Sequence, residues 1–288
     1  MSRELAVAAP EFFGTGPLLG RVDHLRVLRD LGIDALELWS PWQVTEDDAA
    51  DVRAALDAAG LRTACVSTPS YLHGEETGEG RALISSSIRI ARLLGAVRVN
   101  TYFGHGGDGD DRRAADRYAR LVAPLLDQAA EAGVLVVLEN EFDGFGHDPE
   151  HHDISRRASS LAHLMTVVDH PALRLNFDAA NFRCAGEDPG RAAALLAPYV
   201  GYVHVKDVIE IGGQRPGAES GWHTYTDGST AFQTTELGTG EVPWTDVLHE
   251  LDRVGYTGPL TLEPHCQPEL LVDQLRAGVA YLGDERWR

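Results

Sequence analysis

The stretch RRAADRYARLVAPLLDQAAEAGVLVVLEN, residues 112–140, sets the pattern of the whole chain. Arg112–Ala132 spaces its apolar residues as a helix does, Gly133 stops the pattern, and Val134–Glu139 is an apolar run ending on a carboxylate. Glycine adopts the left-handed cap of a helix at least steric cost. An unbroken apolar run suits a strand buried on both faces, as in a parallel sheet. Working outward, further strands are expected at Leu5–Ala9, Ala35–Trp39, Arg62–Ser67, Val97–Tyr102, Leu173–Phe177, Tyr202–Val205 and Leu260–Glu263. Helical patterns fall between them at Arg21–Leu31, Asp47–Ala59, Gly80–Leu94, Ser155–Val168, Pro189–Leu196, Trp244–Val254 and Pro268–Leu282. Gly32, Gly60, Gly95 and Gly255 repeat the stop signal of Gly133. Eight such βα units predict one α/β domain over residues 1–288, a single (β/α)8 TIM barrel. Two connections are long, 140–154 and 208–243, and both leave the C-terminal rim where barrel enzymes keep their sites.

Composition narrows the function classes. The 288 residues carry 25 basic and 44 acidic side chains, a formal net charge of -19. That average field opposes nucleic acid and anionic membranes as partners. No apolar run is long enough to span a bilayer, no signal-peptide pattern opens the chain, and its three cysteines are scattered, so a reduced, cytoplasmic protein is expected. Lys206 is the only lysine; the other basic residues are arginines. A compact ammonium on a flexible stem is chemically distinct from a planar guanidinium, which makes the position a candidate for function.

The rim carries the chemistry. Strand ends VLVVLEN, LRLNFDAAN, YVHVKD and LTLEPH deliver Glu139, Asp178, His204 and Glu263 from four consecutive strands. Each alone reads equally well as a solvated residue at a loop start. Three carboxylates gathered after apolar runs, however, would force protonation or cost several kcal/mol without a cation. A divalent metal removes the conflict. Three oxygens and one nitrogen suit Mn2+, the first expectation, or Mg2+, Co2+ or Zn2+. Glu37 and Trp39 end the second strand with Trp42 just beyond, and Tyr102 and His105 sit at the end of the fourth, where the aromatic faces serve either as ordinary packing or as a ligand-facing wall. The HDPEHHD run at 147–153 reads as a histidine-rich loop, and GHGGDG at 104–109 as a barrel loop crowded by aspartates rather than a dinucleotide motif.

LEN (138–140), FDAANF (177–182), VHVKD (203–207), GTGEVPW (238–244) and GYTGPLTLEPH (255–265) resemble the xylose-isomerase-like barrels. That superfamily includes sugar and sugar-phosphate isomerases and epimerases, inosose dehydratase and isomerase, hydroxypyruvate isomerase and apurinic endonucleases. The resemblance implies that Glu139, Asp178, His204 and Glu263 bind one divalent ion. It also implies that Glu139 and Glu263 exchange protons with a small carbohydrate substrate, and that the chain forms a dimer or tetramer. Two positions depart from the family: Asn181 stands where the ketose 3-epimerases have histidine, and Glu141 where many relatives have histidine after LEN.

The expected reaction is isomerisation or epimerisation of a keto-sugar or related polyol by proton transfer through a metal-stabilised enediolate. Glu139, Glu263 and Lys206 are the candidate catalytic residues, with Lys206 on the same side of its strand as His204; equally, Lys206 could serve only as an ion-pair partner of Asp207 or Asp178. Glu37, Trp39, His105, Glu141, Asn181 and Lys206 are the candidate substrate contacts. A dehydratase acting on a keto-cyclitol or keto-sugar shares the first deprotonation and stands as the alternative. A phosphoester hydrolase needs more histidine ligands and a basic face, and a silent sugar-binding barrel would not need two opposed glutamates. Arg183, Lys206 and Arg215 could meet a phosphate, but no clustered basic loop requires one, so an unphosphorylated sugar is expected.

Overall fold

The structure is a computed structural model, and it describes residues 3–8, 14, 16–72, 77–104, 109–142, 153–212, 221–226 and 230–283. Eight parallel strands close a barrel: β1 (Leu5–Val7), β2 (Ala35–Trp39), β3 (Arg62–Tyr71), β4 (Arg98–Tyr102), β5 (Leu135–Glu139), β6 (Leu173–Asp178), β7 (Val200–Val205) and, last in the chain, β11 (Leu260–Leu262). Around the barrel they run β1-β11-β7-β6-β5-β4-β3-β2. The (β/α)8 expectation holds, with strand boundaries displaced by a few residues. Helices begin and end where local chemistry dictates. Asp110 accepts from the backbone N–H of Arg112 and Arg113 at the start of the helix Asp111–Ala132, and Gly133, at φ 69°, ends it.

Two apolar regions hold the barrel. The larger lies between strands and helices, with Leu36, Val66, Val99, Leu138 and Phe177 facing helical side chains such as Leu28, Leu56, Ile88, Leu126 and Leu164. The smaller joins Ala6, Ala35, Ala64, Cys65, Val137 and Tyr202. A different set of buried residues is polar: Glu37, Ser67, Asn100, Glu139, Asn176, Asp178 and His204. Burying polar groups is costly unless they pair, so this polar set is the first place to look for function.

Three features differ from the sequence expectation. Strand β3 runs four residues past Ser67 and carries Tyr71 to the rim. Residues Ala179–Cys184 form a short helix directly after β6, capped by Asp178. The stretch 208–243 is not simply a loop: β8 (Asp207–Glu210), β9 (Thr224–Thr226) and β10 (Ala231–Thr235) form an antiparallel sheet of order β8-β10-β9. Asp207 anchors this insert by accepting from the backbone N–H groups of Val208, Gly238, Gly240 and Val242. No helix among the described residues is long and apolar enough to cross a membrane.

Candidate functional site

Strand register brings the four rim residues together. Asp178 pairs with His204 across β6 and β7, Thr261 pairs with His204 across β11 and β7, and the Glu263 N–H donates to Val205 O at 3.0 Å. Ligand atoms of Glu139, Asp178, His204 and Glu263 all lie within 4.8 Å of one another, and all four residues are buried.

Each member has one side held and another directed into the cluster. Asp178 Oδ1 accepts from the Asn181 N–H at 2.8 Å as the helix cap, which leaves Oδ2 buried without a hydrogen bond. Oδ2 nevertheless lies 2.6 Å from Lys206 Nζ, in ion-pair contact outside hydrogen-bond geometry. Glu139 Oε2 accepts from Asn100 Nδ2 at 2.8 Å, and Oε1 faces His204 Nδ1 at 3.0 Å. Glu263 Oε2 lies 2.6 Å from Lys206 Nζ and 3.5 Å from His204 Nδ1. His204 Nε2 meets Glu37 Oε2 at 2.8 Å. One imidazole nitrogen is therefore fixed by a carboxylate while the other points at two more, as metal-binding histidines are commonly oriented.

The electrostatics follow from burial. Burial disfavours the charge on Lys206, but Asp178 and Glu263 outweigh it and hold the ammonium well above its usual range. Burial raises Glu263, yet Lys206 and then His204 bring it well below the carboxylate range. Glu141 is pushed well up by burial and by neighbouring Glu139, and Asp178 is raised by burial that Lys206 only partly offsets. Burial also opposes charge on His204, against the stronger pull of Glu139, Glu263 and Glu37. These carboxylates need positive charge, and a divalent ion fits the donor set of Asp178 Oδ2, which lacks a hydrogen bond, one oxygen each of Glu139 and Glu263, and His204 Nδ1.

A cavity of about 300 Å³ opens above this cluster. Glu139, Glu263 and Lys206 form one part of its wall; Trp39, Trp42, Tyr71 and Tyr102 form another. Trp39 and Trp42 stack with centroids 5.3 Å apart and planes 3° apart, and Tyr102 continues the stack at 6.1 Å from Trp39. Gly104 makes room for this wall: at φ +94°, a Cβ there would stand 2.7 Å from the Tyr71 Cβ. The insert contributes Tyr225, which packs edge-on to Phe142 and hydrogen-bonds His265. His265 Nε2 stands 3.4 Å from Glu263 Oε1.

The expected substrate contacts divide. Trp39, Glu141, Asn181 and Lys206 line the cavity, and Asn181 also donates from Nδ2 to Asn140 O at 2.9 Å. Glu37 is not among the described lining residues of the cavity; its side chain is fully buried against His204, behind a candidate ligand. His105, the histidines of 147–152 and Arg215 lie outside the described residues. Arg183 faces Glu210 and Glu241. Lys206 pairs with Asp178 and Glu263, while Asp207 is occupied with the insert. Sequence reasoning missed Asn100, Asn140, Tyr71 and Tyr225. Asn100 and Asn140 left a signal, as polar residues after apolar runs; Tyr225 left none, because the insert has no periodic pattern.

Comparison with known proteins agrees with this architecture. A Streptomyces coelicolor protein named "Putative hydroxypyruvate isomerase" is 25% identical over 252 residues, covering 81% of each chain. A xylose isomerase-like TIM barrel protein from Mycobacterium smegmatis, solved in complex with magnesium, superposes with a TM-score of 0.75 at 20% identity, covering 100% of this chain and 98% of that one. D-allulose 3-epimerase from Methylomonas sp. in complex with D-allulose gives 0.71 at 18% identity, covering 99% and 98%. The model of the xylose isomerase-like TIM barrel family matches residues 25–283, and the chain belongs to that family.

Proposed function

We propose that the chain is a divalent-metal-dependent isomerase or epimerase of an uncharged keto-sugar or related polyol, moving a proton at the carbon beside a carbonyl. The observation that carries this reading is one cavity bordered by Glu139 and Glu263, from separate strands, and by an aromatic wall. Glu139, Asp178, His204 and Glu263 would hold the ion, which when bound supplies Lewis-acid polarisation of a carbonyl.

The chain's own groups do the rest. Glu263 is the base that takes the proton; burial raises it, but in the metal-free protein Lys206 and then His204 keep it ionised. Glu139, whose Oε2 accepts from Asn100, holds or returns one. Trp39, Trp42 and Tyr102 offer flat faces to the C–H side of a sugar and exclude water. Lys206 is the single Lys or Arg side chain on the described wall, which also carries Glu139, Glu141 and Glu263, and this excess of carboxylates favours a neutral substrate over an anionic one. The support from known proteins is the sugar bound to the Methylomonas epimerase and the magnesium in the Mycobacterium barrel.

The test is incubation of the metal-loaded protein with a panel of keto-sugars and cyclitol ketones in D2O. Deuterium at the carbon beside the carbonyl, with an isomer or epimer as product, is the expected result. Release of water with an unsaturated product would make the chain a dehydratase. Absence of exchange with every member would contradict the reading.

A further inference from the structure

The chain's one lysine lies inside the candidate metal cluster. Lys206 Nζ is 2.6 Å from Asp178 Oδ2 and 2.6 Å from Glu263 Oε2, and the residue is 6% exposed. These are two of the four groups that converge within 4.8 Å. Asp178 Oδ2 is also the cluster oxygen left without a hydrogen bond.

We propose that Lys206 is a built-in counter-cation that competes with the metal: its ammonium holds Asp178 and Glu263 in the metal-free protein, and metal entry displaces it into the substrate cavity. The inference rests on the metal-dependent reading above. A divalent ion coordinates carboxylate oxygens at about 2.0–2.2 Å, so an ion and an ammonium sharing these two oxygens would be no more than about 5 Å apart. At such a distance in a buried site the two cations repel, and one must leave.

The lysine is the partner free to go. It has a long flexible stem and a point charge rather than a fixed fork, and it already lines the cavity with Tyr225 and Asn181. An arginine would bind both carboxylates through a planar group and yield less easily. A chain with 24 arginines and one lysine has its lysine where reversible pairing is needed. Released into the cavity, the ammonium becomes a donor for a substrate oxygen, so metal loading precedes productive substrate binding. Lys206 is thus a positioning residue for the empty site and a substrate contact in the loaded one.

Two measurements on the whole chain test this. The first is calorimetric titration of metal-free wild type, Lys206→Met and Lys206→Arg with Mn2+ and Zn2+, with melting temperatures recorded with and without metal. Removing a competing state raises apparent affinity by the reciprocal of the competent fraction. Lys206→Met is expected to bind metal about tenfold more tightly than wild type and to melt lower without metal, whereas Lys206→Arg should bind more weakly. The second uses wild type alone and stands even if a variant fails to fold. Protein labelled with 13C-lysine gives one side-chain Cε resonance, which should move saturably with Mg2+ or Zn2+ at the same stoichiometry as binding. Equal affinity in wild type and Lys206→Met, or a Cε resonance unmoved at metal saturation, would overturn the inference while leaving the metal site standing. Absence of metal binding in wild type and Lys206→Met alike would overturn both.

Discussion

The two halves of the barrel rim do different work. Strands β5, β6, β7 and β11, contiguous in the barrel, bring Glu139, Asp178, His204, Lys206 and Glu263 to one cluster. Strands β2, β3 and β4, also contiguous, bring Trp39, Tyr71 and Tyr102 to the facing wall. One half gathers charge that only a cation or tight pairing makes tolerable in a buried setting. The other gathers aromatic area, whose largely apolar rings are far less costly to bury than charge. On the proposed function, chemistry and recognition fall to separate arcs of one sheet, and substitutions in the two arcs should fail differently.

The largest effect is expected in the charged half. Glu263→Gln keeps the shape of the side chain but cannot accept a proton, so solvent exchange at the substrate carbon should fall about 10²–10⁴-fold. Measured by deuterium uptake on an identified substrate, with the circular dichroism spectrum unchanged, it separates chemistry from folding. An undiminished rate would remove Glu263 as the base. Glu37 tests the layer behind. Glu37→Gln loses the carboxylate that orients His204 Nε2, and metal affinity should weaken about 10–100-fold, read by titration against a fluorescent chelator. Equal affinities would mean that His204 is oriented without it. The smallest effect belongs to the aromatic half. Trp42→Ala removes the exposed partner of the Trp39 stack and should raise KM about five- to tenfold while leaving kcat and metal content nearly unchanged. A fall in metal content there would break the division between the halves.

The fold was readable because each βα unit carries its own period and stop. Strand runs such as Val134–Glu139 and glycines such as Gly133 and Gly60 declare their roles within a few residues. The charged half was readable for a related reason: strand-end residues Glu139, Asp178 and His204 interrupt apolar runs, and neighbouring strands place them side by side. What stayed hidden depends on contacts between distant segments. Glu37 looked like another rim residue, but its position low on β2 puts it against His204, 167 residues away. The β8-β10-β9 sheet is made of short strands rich in threonine with no core-facing alternation long enough to read. Its contribution, Tyr225, reaches the cavity through pairing with Ala231–Thr235 and through contacts of Trp222 and His223 with Cys266 and His265. Lys206 was singled out by composition and its pairing with Asp178 was one of two expected, yet that it also reaches Glu263 depends on the register of β7 and β11.

The most direct test of the charged half is metal content per chain, by elemental analysis, for wild type and Asp178→Ala after reconstitution and gel filtration. About one divalent ion per wild-type chain is expected, with Mn2+ the favoured species, and loss of that ion in the variant. A wild-type chain that retains no ion, or an Asp178→Ala chain that retains it fully, would contradict a metal centre built on these four residues.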